Sequence, residues 1–530
     1  MVLLILGLLG CQDEPNAAVP AAERGAAPEA APVARLRRLS VSQYHHIVTD
    51  VFGDGVAYTG TLEGDERIEG LYAVGSAWTT ISSYGVEKYE SAAYSVAEQA
   101  VTDPDARARW IPCAPADVRD DDCAASVLEP LGAALWRRPL SADELDGLVR
   151  VSAEAAVTLD DFDAGLSYGI AAALMSPHFL HRAELAEGEG LDDYALASRL
   201  SFFLWDSVPD DTLRDAAADG SLQQAEGLAA AVDRMLEDPR AIRGARVFFA
   251  EMLRLDALDG LSKDPDVFVY MSDLLGASAK EETLMGVENL VFTEDGSYLD
   301  LFMTRTTYVD KTLAALYAVE SPSRDGFGEI TLPVEGGRRG FLGQAAFLAP
   351  NAHAVSTSAT RRGIFVRDVL LCQPIPDPPA DANTAIPEVS ADAPTMRERI
   401  AVHLEDPFCA SCHQLTDPIG LGLENFDGLG RWRDDENGAT IDPSGALDGA
   451  SFSDAWALGG ALAAHEQTGP CLVKTMLQYA TGTLADELDP TLLDWHADGF
   501  AEADHRVLWL MRDLALSPAM RAASAPEEER

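Results

Sequence analysis

Cys409-Ala410-Ser411-Cys412-His413 is the stretch of this chain whose residue types and spacing carry their own chemistry. Two thiols on one short turn can each add to a porphyrin vinyl group, and the next residue sets an imidazole under the iron. That is the attachment pattern of c-type haem. The same residues could also serve a structural zinc ion, but no second Cys/His pair follows at ligand spacing, and Cys471 and His465 stand apart. A redox dithiol calls for a strand before the first cysteine, whereas Asp406-Pro407 precedes this one in helical surroundings. The reading is one haem c, bound through Cys409 and Cys412, with His413 as proximal ligand.

Neighbouring residues suggest supporting roles. Pro418, five residues past His413, is placed to lend a backbone carbonyl to the imidazole N–H, or else is an ordinary turn proline. Arg431 and Arg433 either neutralise haem propionates or pair with Glu424 or Asp427. Two residues are candidates for the distal ligand, the third possibility being an open site. His403 lies on the last turn of RERIAVHL, and the chain must reverse at Asp406-Pro407 to bring it over the other haem face. Met476 lies downstream, where it shares a helix face with Leu472 and Tyr479 and so reads equally as core.

The elements that must hold these residues are mostly helices. Apolar residues recur at spacings of three and four, and sustained alternation is rare. The fold class expected is mainly α: several consecutive helical domains, one with a c-type haem segment, and long irregular loops. Residues 1–11 read as a signal peptide with a lipobox ending at Cys11, and 12–34, rich in Ala, Pro and Glu, as a disordered tether. An N-terminal helical domain follows over 35–125. The next, over 126–190, contains WRRPLSADEL, where Ser141 and Glu144 form a capping box. A larger helical domain covers 191–335, with Phe202, Phe203 and Trp205 as core. The haem-containing domain spans 336–450, interrupted by the Pro-rich CQPIPDPPADANTAIPEV, and a C-terminal helical domain spans 451–530, its charged end from Pro526 to Arg530 reading as a frayed tail.

The seven cysteines sort without remainder. Cys11 is the lipidation site, Cys409 and Cys412 take the haem, and four are left to pair. Cys113 with Cys123 is favoured because only a turn-like acidic loop separates them, and Cys372 with Cys471 follows by elimination. Disulfides and a lipobox place the chain outside the cytoplasm, as an outer-membrane or periplasmic-face lipoprotein of a Gram-negative bacterium. Eighty-seven acidic against 39 basic side chains give a formal charge of −48. Such a surface repels nucleic acid and anionic lipid, so an exported redox partner is expected to be cationic, with the membrane reached only through the lipid anchor. The oligomeric state is open.

RRLSVSQYHHIVTDVFG, ALWRRPLSADEL, RLSFFLWDSVPDDTL, RRGFLGQAAFLA, RERIAVHLEDPFCASCHQLTDPIGLGLENFDGLGRWR and CLVKTMLQYATG together resemble a family of multi-domain surface proteins of planctomycetes and myxobacteria. That family is built from consecutive domains of unknown function, the 1587/1595/1592/1588/1585 series, with a cytochrome-c-like segment. The resemblance runs over nearly the whole chain from about Leu36. It implies a surface or periplasmic protein and matches a family histidine to His403. The chain departs from the pattern after YATG, where Thr483 replaces a usual basic residue. The function expected is electron transfer by an envelope-anchored haem c lipoprotein, alone or as a subunit of an oxidoreductase. The alternative is a surface binding or scaffold module with a structural or vestigial CxxCH site. No G-x-S-x-G or H-E-x-x-H motif supports a hydrolase.

Overall fold

Serine and aspartate side chains punctuate the chain, and most of its longer helices open on one. In the computed structural model, which describes residues 25–184, 186–187, 190–376, 386–405 and 407–524, Ser40 accepts the Gln43 amide and starts α1 (Val41–Phe52). Ser82 caps α2 (Ser83–Thr102), Asp120 caps α3 (Asp121–Trp136), and the Ser141/Glu144 capping box starts α4 (Ala142–Leu159) as expected. Asp161 and Asp192 cap α5 (Phe162–Met175) and α6 (Asp193–Trp205). Asp238, followed by a proline at the first helical position, opens α7 (Pro239–Met252). Each such cap is worth ~1 kcal/mol, so part of the acidic excess is spent on the backbone rather than on solvation. Further along come α8 (Leu275–Glu288), α9 (Ala359–Phe365), α10 (Pro407–Leu421) and α11 (Thr468–Thr481).

The protein is mainly α. Its sheets among the described residues are five two-stranded antiparallel ribbons. Two large apolar cores organise the helices. In the first, α1 to α5 close around Tyr44, Tyr89, Leu128, Leu166 and Phe179, and Phe202 reaches in from α6. The second gathers α6, α7, α8, α11 and the C-terminal helices around Phe203, Trp205, Phe249, Tyr298 and Phe347. Phe202, Phe203 and Trp205 are thus core residues, as their spacing implied.

Between the two cores runs the ribbon of β1 (Leu36–Arg38) and β2 (His181–Ala183), in which Arg37 faces Arg182. Both arginines are buried, as are Arg199 and Glu184, to which all three guanidinium groups turn. Arg37 also donates to the carbonyls of Ala73, Tyr479 and Ala480, and Arg199 to those of Ala519, Met520 and Ala522. One charge cluster therefore ties the N-terminal strand, α6, α11 and the chain end together.

The segment read as a tether is corrected at its C-terminal edge. Ala34 donates its amide to Ser524, Ser524 donates to Pro32, and Ala34 is buried. Backbone pairing needs no bulky side chain, so an Ala/Pro-rich stretch can dock where it cannot build a core. Cys11 and the tail from Pro526 to Arg530 lie outside the described residues. Both expected disulfides, Cys113–Cys123 and Cys372–Cys471, are formed. Residues 372–376 and 386–389, which flank the proline run, are neither helix nor strand. Among the described residues, no helix is long and apolar enough to cross a membrane.

Candidate functional site

Pro407 occupies the first position of α10, where its missing N–H costs nothing. Cys409, Cys412 and His413 follow within two turns, so the helical period gathers both thiols and the imidazole on adjoining parts of one surface. The two cysteines are unbridged and partly exposed. A carboxylate oxygen of Asp417 lies 2.9 Å from His413 Nδ1. A carboxylate can only accept, so Nδ1 is the donor and the ring is held with Nε2 turned away from Asp417. Asp417 is itself buried and accepts the Thr360 hydroxyl of α9 at 2.8 Å. A chain of two hydrogen bonds thus orients the imidazole from the neighbouring helix.

This corrects the role read for Pro418. Residues four apart share a helix face, whereas one five along has turned on by a further ~100°. Asp417 therefore reaches the imidazole, and Pro418 lies inside α10 with its carbonyl directed at Gly445. The sequence carried the signal for Asp417 in its i+4 spacing; nothing in it pointed to Thr360.

Helix α10 is held closely against α9. A Cβ on Gly363 would lie 2.0 Å from the Thr416 carbonyl oxygen, and one on Gly420 would lie 1.8 Å from that of Ala359. Neither contact can be relieved by rotating a side chain. Gly420→Ala is expected to push the helices apart and cost about 1–3 kcal/mol in chemical denaturation. An unchanged midpoint would show that α10 can shift freely. Below this crossing, Arg362 of α9 is fully buried and donates to the Leu423, Phe426 and Asp427 carbonyls, so a cation sits at the C-terminal end of α10.

His403, on a short 3₁₀ turn over Ala401–Leu404, is brought to the site: its ring centroid lies 4.5 Å from that of His413. Met476 is not. It is 1 % exposed in the second core, on α11, which packs chiefly against the Pro490–Glu502 helix, α6 and the short Tyr72–Gly75 helix. Arg433 pairs with Glu424 at 2.9 Å, one of the two partners anticipated for it. Arg431 instead stacks its guanidinium 4.7 Å above the Tyr270 ring, while the Asp427 carboxylate accepts backbone amides, including that of Arg431.

The surroundings of the motif fit a large apolar cofactor. Among the described residues a small apolar cluster of Ala359, Met396, Ile400 and Leu421, with Ile386 packed against it, lies beside the motif. Val402 and Leu404, either side of His403, are 45 % and 46 % exposed. A flat macrocycle against this face would remove them from water, at ~25 cal/mol per Å². Among the described residues, no three His, Cys, Asp or Glu side chains converge as a metal-binding group.

A second feature lies elsewhere. A cavity of about 680 Å³ opens between α1, the 58–76 loop, α7 and α11, and no residue of the CxxCH segment lines it. On its wall Ser42 Oγ and His46 Nδ1 both bond Asp206 Oδ2, His46 at 2.9 Å. Glu251 Oε1 accepts the Ala73 amide at 2.8 Å. Burial pushes the Glu251 carboxyl up to about 8, with Asp206 and Asp65 adding to the shift against the Ala73 amide and Arg67. Sequence reasoning missed this grouping, because 160 positions separate His46 from Asp206.

Four family models match the chain in succession. Residues 37–102 match PSD3, Protein of unknown function (DUF1587), and residues 123–184 match PSD5, Protein of unknown function (DUF1595). Residues 191–319 match PSD4, Protein of unknown function (DUF1592), and residues 338–436 match PSCyt3, Protein of unknown function (DUF1588). These are four of the five members of the series expected from the sequence, in the expected order. No curated protein and no solved structure matches the chain.

Proposed function

We propose that this chain, which carries the consecutive series of DUF1587, DUF1595, DUF1592 and DUF1588 domains, is an exported lipoprotein that holds one c-type haem and passes electrons to a redox partner. The observation that carries the reading is the state of the CxxCH helix. Two reduced thiols stand a turn apart beside an imidazole whose Nδ1 is held by Asp417, leaving Nε2 for a metal. The motif falls within the residues matched to PSCyt3, a model with a cytochrome-like name. Two disulfides are in keeping with an oxidising compartment, and Cys11 is the proposed anchor.

Cys409 and Cys412 would form the thioethers, His413 would be the proximal ligand, and His403 is the distal candidate that the fold brings near. A covalently held haem supplies a one-electron couple at this surface. The protein's part is to orient and to tune. The buried Asp417 carboxylate holds the His413 ring by its Nδ1 and so would fix the orientation of the imidazole toward a bound haem. The acidic surface favours encounter with a cationic partner.

The test is the absorption spectrum of protein made with cytochrome c maturation machinery. A c-type pyridine haemochrome with one haem per chain is expected. Conversion of Cys409 and Cys412 to serine should abolish covalent attachment. His403→Ala should alter the ferric spectrum, while Met476→Ala should leave it as it was. A colourless product, or a zinc-containing one, would overturn the reading.

A further inference from the structure

The cavity between α1, α7 and α11 has the size of a small-molecule site, for which ~300–1,000 Å³ is usual. Its charges are already spent. Arg243 is bound by Asp50 at 2.6 Å, Arg246 by Glu281 at 2.7 Å, Lys280 by Asp259 at 3.0 Å, and Arg67 by Asp256. Asp65 takes the Val41 amide and Arg38, and Asp206 takes Ser42 and His46. Burial, with Arg243 adding to it, holds His45 toward its neutral form. The raised Glu251 carboxyl keeps its proton near neutral pH. A charged ligand would enter without a free counter-charge to meet it, and its desolvation would go unrepaid.

What the walls do offer is neutral hydrogen bonding. With Asp206 at Nδ1, His46 Nε2 is left as an acceptor. Ser42 lies on the Nδ1 side of the ring, 3.4 Å from that nitrogen, so it is not set against the basic Nε2 as a nucleophile would be. Glu251 Oε1 is occupied by the Ala73 amide, and the protonated carboxyl is a donor. The hydroxyl of Tyr479, a residue 4 % exposed on the cavity wall, is buried with no hydrogen-bond partner among the described residues. An orphaned buried hydroxyl costs about 1–3 kcal/mol unless something fills the gap. Tyr58, Tyr72 and His45 add aromatic side chains to the same wall, with the Arg67 guanidinium stacked 4.0 Å over the Tyr72 ring.

We propose that this cavity binds a small neutral polyol, of one or two sugar rings, with His46 Nε2 as acceptor, the Glu251 carboxyl as donor and the Tyr479 hydroxyl as a further partner. Hydroxyl groups both give and accept hydrogen bonds, so one ligand type satisfies all three positions, and the C–H face of a sugar ring suits the aromatic walls. The proposal is independent of the haem reading, since the cavity and the CxxCH helix share no residue.

The experiment is titration calorimetry of the full chain with maltose and cellobiose as neutral probes, and glucosamine and glucuronate as charged ones. At least one neutral disaccharide is expected to bind at least tenfold more tightly than either charged sugar. His46→Phe and Tyr479→Phe should each weaken that binding at least fivefold. Tyr479→Phe removes a single unpartnered oxygen, so its thermal midpoint should be no lower than that of the parent, separating loss of a ligand contact from loss of fold. Absence of binding by both neutral sugars, preference for a charged one, or binding that survives both substitutions would overturn the proposal.

Discussion

Glu184→Gln is expected to cost about 3–5 kcal/mol, the scale for removing one partner of a buried ion pair. The reason is the company Glu184 keeps. It is 4 % exposed, lies 2.6 Å from Arg199, 3.1 Å from Arg182 and 3.7 Å from Arg37, and is the carboxylate shared by three buried guanidinium groups. Burial alone would push its carboxyl up, but Arg199, Arg37 and Arg182 outweigh burial and hold it at about 2, below the usual 4.5. A neutral amide would leave three arginines repelling one another in the interior. The same shift fixes the acid limb of stability. Because the folded value is depressed, the contribution is complete above about 4.5 and is lost as pH falls toward 2, amounting to about 3 kcal/mol for that shift. Denaturant titrations of parent and variant at pH 7 and pH 3 check both statements: the difference should shrink at the lower pH. A constant difference would mean that Glu184 acts through packing rather than charge.

Serine at both Cys372 and Cys471 is the second large effect, expected to lower stability by about 4–5 kcal/mol on the loop-entropy scale for ~100 residues. The bridge spans a sequence separation of 99, and its loop contains α10 and three members of the satellite core, Met396, Ile400 and Leu421. Serine at both Cys113 and Cys123, with a separation of 10, should cost about 3 kcal/mol or less. Two-state denaturation of the two double variants gives the comparison, and equal losses would argue against the loop-entropy account. The longer bridge is also expected to hold the 386–450 region in place, so its loss should loosen α10 more than α1.

Much of this protein could be read along the chain because the relevant interactions are local. Helix periodicity, the Ser141/Glu144 box and the burial of Phe202, Phe203 and Trp205 follow from spacings of three and four that any helix must honour. Cys409, Cys412 and His413 are legible for the same reason, since their shared surface is a property of one helix. Cys113–Cys123 pairs across a short loop, and Cys372–Cys471 could be assigned only because no other pair was left.

What the sequence left open is what depends on which helix meets which. His403 and Met476 stood as equal candidates along the chain, and the turn before α10 brings one beside His413 while packing buries the other in the second core. Arg433 could neutralise a haem propionate or pair with Glu424 or Asp427, and the fold places it on Glu424. Thr360 behind Asp417, Asp206 behind His46 and Glu184 among its three arginines all join segments far apart in sequence. Local spacing determines the face on which a residue stands. Only the packing of two apolar cores, with glycines setting how closely α9 and α10 approach, decides what that face meets.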